Sequence, residues 1–199
     1  MLPTAAGAYY ALSRCEDSAL RRLILALLRH DASPLATNES VAAWLGLSDV
    51  AASLAHLERA QALGLIQGFR EVSKLPGVGV GDELHQLLPP LSSVGRALLV
   101  DWNGLALASC GLDVDAADAL AALSADLIAV QLRHAARLAQ HFGLDRHAWA
   151  AVDAFGSSRI GAWPLYVGAE RLVLVLLGEP CLNQSEFLTL AWLLINRYG

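Results

Sequence analysis

The chain has 199 residues, 55% of them apolar and 17% charged, with a formal net charge of −5. That balance supports a sizeable buried core and excludes a disordered chain. Residues 1–75 carry seven basic and seven acidic side chains and residues 76–199 carry seven and twelve, so neither part has the positive excess of a polyanion binder. Mean hydropathy is +0.45, yet no apolar run approaches the ~20 residues that span a bilayer, and no membrane insertion is expected. The start, MLPTAAGAYYALSRCEDS, lacks a basic region followed by a long apolar one and does not read as a secretory signal. Three unpaired cysteines read as buried reduced thiols of a cytoplasmic protein.

The first part is helical. Leu20, Leu23, Leu27 and Leu28 share one face of a helix that Asp17-Ser18 opens. Thr37-Asn38-Glu39-Ser40 starts a second helix before VAAWLGL, and Gly46 marks a tight turn. Ser48 caps a third helix ending at Leu63-Gly64, with Val50, Leu54, Leu57 and Gln61 or Ala60 on its inner side. A strand, LIQGFR, follows. The stretch VAAWLGLSDVAASLAHLERAQALGLIQ resembles the winged helix-turn-helix family, in which the third helix enters the DNA major groove. Its outward positions here are Asp49, Ala52, His56 and Arg59. One arginine is too little phosphate neutralisation, and base readout wants Arg, Asn or Gln where the chain has Asp49 and alanines. Protein docking or dimerisation is therefore expected of this module, and nucleic-acid binding is not.

SKLPGVGVGDE interrupts the periodic pattern with one proline and three glycines. We place a winged-helix-like domain at residues 1–75, a linker at 76–81 and a second domain at 82–199. In that domain DELHQLL reads as a short helix stopped by Pro89-Pro90. Two strands, residues 96–102 and 105–109, flank Asn103-Gly104, the signature of a two-residue type I′ hairpin. Asp113 and Asp115 open a long helix that Gly143 stops near Phe142. Its core stripe reads as Leu120, Leu123, Leu127, Val130 or Gln131, Leu138 and Phe142, with Ile128 and Leu132 on a flanking one. Strands follow at residues 147–155, 159–167 and 171–177. A last helix over 185–198 has Leu188, Ala191, Leu194 and Ile195 on its buried side.

LLVDWNGLALAS, the helix start GLDVDAADALAAL and the strand RLVLVLLGEP resemble the roadblock family of dynein-light-chain-like proteins over residues 82–199. The resemblance implies an α/β (α+β) fold: a five-stranded antiparallel sheet with the long helix on one face and the terminal helices on the other. It also implies pairing through the third strand and the long helix. Family members act as scaffolds or regulators for small Ras-like GTPases and motor complexes, bacterial ones serving polarity and motility GTPases. They have no catalytic residues to carry over.

Catalytic motifs are missing from the sequence. No glycine-rich loop precedes a Lys-Ser or Lys-Thr pair, so the chain does not read as a P-loop GTPase. Gly156-Ser157-Ser158 lacks a nucleophile elbow and reads as a turn. His134 and His141, seven apart beside Arg133, Arg137, Arg146 and His147, lack a third metal ligand and read as a solvated face. Asp113, Asp115 and Asp118 suit a helix N-terminus. Of the five tryptophans, Trp149 alone falls on a predicted edge strand.

The expected protein is a non-catalytic adaptor with no cofactor and no metal. It dimerises through Trp149, Ala151, Val152 and Phe155. It docks a partner, a small Ras-like GTPase foremost, through Ile128 and Leu132 with Arg133 and Arg137 at the rim. A DNA-binding transcriptional regulator is the alternative.

Overall fold

A computed structural model describes residues 1–69, 71–72, 83–144 and 148–199. The chain is a mixed α/β protein with a five-stranded antiparallel sheet and flanking helices. It divides into two compact units, Met1–Val80 with Leu182–Gly199, and Gly81–Cys181. The proposed linker at 76–81 lies outside the described residues. The terminal helix, read from sequence as part of the second domain, groups with the N-terminal elements.

In the first unit, β1 (Leu2–Pro3) leads into α1 (Ala5–Leu12), α2 (Ala19–Leu28), α3 (Asn38–Leu45), α4 (Val50–Ala62) and β2 (Ile66–Gln67). The two short strands pair antiparallel. Ser18 caps α2, and Thr37 with Ser40 forms a reciprocal capping box on α3. Gly46 (φ +65°) ends α3 in the left-handed region, and α4 turns 79° from it. Asp49, not Ser48, caps α4, accepting from Ala51 N at 2.9 Å. The inner face of α4 is also rotated from the expected one: Ser53 and Ala60 are buried, while Val50, Leu54 and Gln61 are exposed. Beyond Gln67 the expected strand LIQGFR does not continue, and Arg70 lies outside the described residues. The closing helix α7 (Ser185–Tyr198) packs on α1 and α2. Phe187 meets the Tyr9 ring at 6.1 Å, and Asn196 Nδ2 donates to Leu28 O at 3.1 Å.

The second unit starts with α5 (Leu84–Leu87) and a 3-10 turn over Pro89–Leu91. Asp82, where the helix was expected to begin, lies outside the described residues. Then come β3 (Ala97–Asp101), β4 (Ala106–Cys110), α6 (Val114–Phe142), β5 (Trp149–Val152), β6 (Ser158–Val167) and β7 (Glu170–Leu177). The strand order is β4-β3-β7-β6-β5, every neighbouring pair antiparallel. Asp113 caps α6 by accepting from Ala116 N at 2.8 Å, and Gly143 (φ +67°) stops it.

The first hairpin is not type I′. Gly104 alone takes a positive φ (+85°), and no residue other than glycine does so among those described. Gly104 N donates to Asp101 O and Asp101 N to Leu105 O, a three-residue loop with a glycine bulge. Asp101 Oδ1 locks it by accepting from Asn103 N at 2.9 Å and Leu105 N at 2.8 Å. The second hairpin repeats this plan around Asp153 and Gly156.

Leu98, Val100, Ala162, Val173 and Val175 form the sheet's half of a core that α6 covers with Ala117, Ala121 and Ile128. Gly161 holds another close contact: a Cβ there would sit 2.3 Å from the Trp163 ring. Gly161→Val should therefore displace that buried indole and cost roughly 1–3 kcal/mol, read as a lower urea midpoint at unchanged slope. An unchanged midpoint would show that the ring moves aside freely.

Candidate functional site

The open edge of the sheet is β5. On one side it pairs with β6, Trp149 opposite Ala162, Ala150 opposite Gly161, Ala151 opposite Ile160 and Val152 opposite Ser158, with a bulge after Ala151. On its other side no described strand pairs with it. Asp153 N donates to Ser157 O within the hairpin, so alternation along the strand turns the N–H groups of Val152 and Ala150 toward the open edge. All four residues of β5 are exposed.

Soluble proteins commonly guard such an edge with charge, proline or a cover. The nearest charge, Asp153, is committed elsewhere. Its Oδ1 accepts from Phe155 N at 2.8 Å and Ser157 N at 3.1 Å, and its Oδ2 pairs with Arg159 at 2.9 Å. The turn it builds presents Phe155 at 95% exposure. Phe155 thus belongs to the hairpin tip, not to the strand in which the sequence reading placed it.

Beside β5 lies an apolar groove of about 190 Å³, lined by Leu120, Leu123 and Leu127 of α6 and by Trp149, Ala151 and Ile160 of the sheet. It exists because α6 approaches the sheet through small residues. Ala117, Ala121, Ser124 and Ile128 form the buried row, and Ser124 satisfies its hydroxyl on Ala121 O at 2.9 Å. Gly104 presses on the same helix within 3.4 Å of Ala122 and Ala125. The leucines read from sequence as the core stripe are turned off that row, and Leu123, Val130 and Phe142 are exposed. Leu120, Leu123 and Leu127 are site residues that the sequence reading assigned to the core. The spacing of small residues at 117, 121 and 124 is the signal that marks the true buried row.

The expected site residues therefore divide. Trp149 and Ala151 line the groove, and Val152 lies on the opposite face of β5. Ile128 is 1% exposed within the sheet core, which corrects its expected place in a docking surface. Leu132, four residues on, is 41% exposed, and Arg133 and Arg137 lie on the solvent side.

Chemistry of other kinds finds no constellation. Among the described residues no group of three His, Cys, Asp or Glu side chains could hold a metal. His134 and His141 are exposed, while Arg146 and His147 lie outside the described residues. The cysteines differ from expectation: Cys15 is exposed, Cys110 and Cys181 are half-buried, and all are free. Partial burial pushes the Cys110 thiol up. On α4, Asp49 spends its carboxylate as a cap, Ala51 and Ala55 are exposed, and Arg59 sits in the last turn. No single helix among the described residues is long and apolar enough to cross a membrane.

No protein-family model and no curated protein matches the sequence. Among solved structures the chain is similar to the roadblock/LC7 domain from Streptomyces avermitilis, with 19% identity over 57% of this chain and 92% of that one and a TM-score of 0.37. It is similar also to the gliding protein MglB from Thermus thermophilus, with 22% identity over 58% and 85% and a TM-score of 0.37. A third is Myxococcus xanthus MglB, with 20% identity over 61% and 92% and a TM-score of 0.33.

Proposed function

We propose that the chain is a non-catalytic, cytoplasmic adaptor that pairs with a second copy of itself through β5 and docks a partner protein. The observation that carries this reading is the unguarded edge of β5 beside an apolar groove. Pairing β5 with β5 of a second copy about a two-fold axis satisfies outward amides and carbonyls and shields Trp149 and the groove together. The partner class, a small Ras-like GTPase, comes from the sequence resemblance to the roadblock family. Leu132, Arg133 and Arg137 supply exposed surface on α6 for contact between proteins, and Ile128 leaves that set. A Ras-like GTPase from the same genome, presented to the immobilised full chain with GDP or a GTP analogue, should be retained in one nucleotide state. Retention in neither state removes this partner class and leaves self-pairing to be judged on its own.

DNA recognition through the winged-helix-like part is the competing proposal, and the face of α4 gives it little to work with. Fluorescence anisotropy with random and promoter-derived duplexes at low and moderate salt should show no saturable binding. Sequence-selective binding that needs His56 and Arg59 would reverse the choice.

A further inference from the structure

The charges of α6 are segregated along its length. Asp115, Asp118 and Asp126 lie before its midpoint at residue 128, and Arg133, His134, Arg137 and His141 lie after it. The helix dipole accounts for Asp115 in the first turn and His141 in the last, because its influence fades within a turn of each end. It does not account for Asp126 or Arg133, which stand well inside. Nor do neighbours on the helix. Asp126 has Ala122, Leu123, Ala129 and Val130 three and four residues away, and Arg133 has Ala129, Val130, Ala136 and Arg137. Among the described residues Asp126, Arg133 and Arg137 are exposed and make no ion pair.

At ~100° per residue these three side chains fall within one stripe about 40° wide, and Val130 and Leu123 border it. That stripe adjoins the leucine flank that overlooks β5 through the groove. Two copies joined edge to edge at β5 about an axis normal to the sheet carry both α6 helices on the same face. The axis reverses every in-plane direction, so the two helices run antiparallel. The acidic half of one then faces the basic half of the other.

We propose, building on the β5 self-pairing reading, that Asp126 of each copy pairs with Arg133 and Arg137 of the other, with the two-fold axis passing near Val130. The apolar seam of Leu123, Leu127 and Val130 supplies the contact, and the crossed charges fix its register and orientation. A parallel or slipped arrangement sets like charges against each other.

Charge reversal tests this in the full chain, by sedimentation equilibrium with circular dichroism as a check on helix content. Arg133→Glu with Arg137→Glu should raise the dimer dissociation constant by about tenfold. Adding Asp126→Lys to that variant reverses both sides of the crossed set and should restore the wild-type value. Asp126→Lys alone should weaken the dimer as the arginine reversals do. A wild-type dimer indifferent to the reversals, or weakened without rescue by the triple variant, overturns the charge pairing and leaves β5 pairing standing. A wild-type monomer overturns β5 pairing itself, and the charge pairing with it.

Discussion

Ile128→Asp should unfold the second unit, lowering its stability by about 3–5 kcal/mol or more, whereas Leu132→Asp one turn later should cost about 1 kcal/mol or less. Both residues are large aliphatics on one helix, and sequence placed them together. Ile128 is 1% exposed against Leu98, Val100, Val173 and Val175 of the sheet, and Leu132 is 41% exposed. A carboxylate at 128 loses the aliphatic packing and gains no partner in an apolar layer, so it must either take up a proton or expel the helix. A domain holds ~5–15 kcal/mol in total, so a loss of this size is decisive. Urea unfolding followed by tryptophan fluorescence separates the two, since Trp102, Trp149 and Trp163 all lie in this unit. Equal losses would mean that α6 does not lie on the sheet through the row of residues 117, 121, 124 and 128.

Ala150→Pro should convert the dimer to monomer while leaving the monomer folded. Asp153 N turns inward to Ser157 O, and alternation sends the Ala150 N–H outward. Proline there removes a donor from the join between copies and introduces a ring at the edge, a device that natural edge strands use against pairing. Ala151→Pro is the control of opposite phase. It removes an inward donor toward β6, so its cost falls first on the fold and shows as a lower urea midpoint. Light scattering on both variants should give monomer with an unchanged midpoint for Ala150→Pro. A dimer that persists in that variant contradicts pairing through β5.

Much of the frame was legible because local and global signals agree. Asp113 and Gly143 bracket α6 where a capping acid and a left-handed glycine are wanted, and the bounds of α7 coincide with those read from sequence. Other features were hidden for identifiable reasons. Helix α1 was not expected, since AAGAYYAL offers no polar face and carries a glycine at its third position. That glycine has a tertiary cause invisible to periodicity: a Cβ on Gly7 would lie 1.9 Å from Leu65 O. The hairpin Asp-x-x-Gly plan was read as a two-residue turn because Asn-Gly suits one. Asp101 overrides that preference by bonding two amides of the loop, and Asp153 does the same in the second hairpin.

The candidate site was half legible for a related reason. Composition exposed the unguarded edge, since residues 148–155 hold one charge and no proline. The helix flank was misassigned because bulk was equated with burial. On α6 the residues nearest the sheet are mainly small, so the helix lies close, and the leucines are displaced toward β5. That displacement leaves an apolar groove where sequence reasoning had placed a filled core.

The mass of the unmodified full chain in solution tests self-pairing through β5 most directly. Sedimentation equilibrium across the micromolar range should converge on twice the 21.1 kDa chain mass. A mass that stays at 21.1 kDa into high micromolar concentration contradicts it.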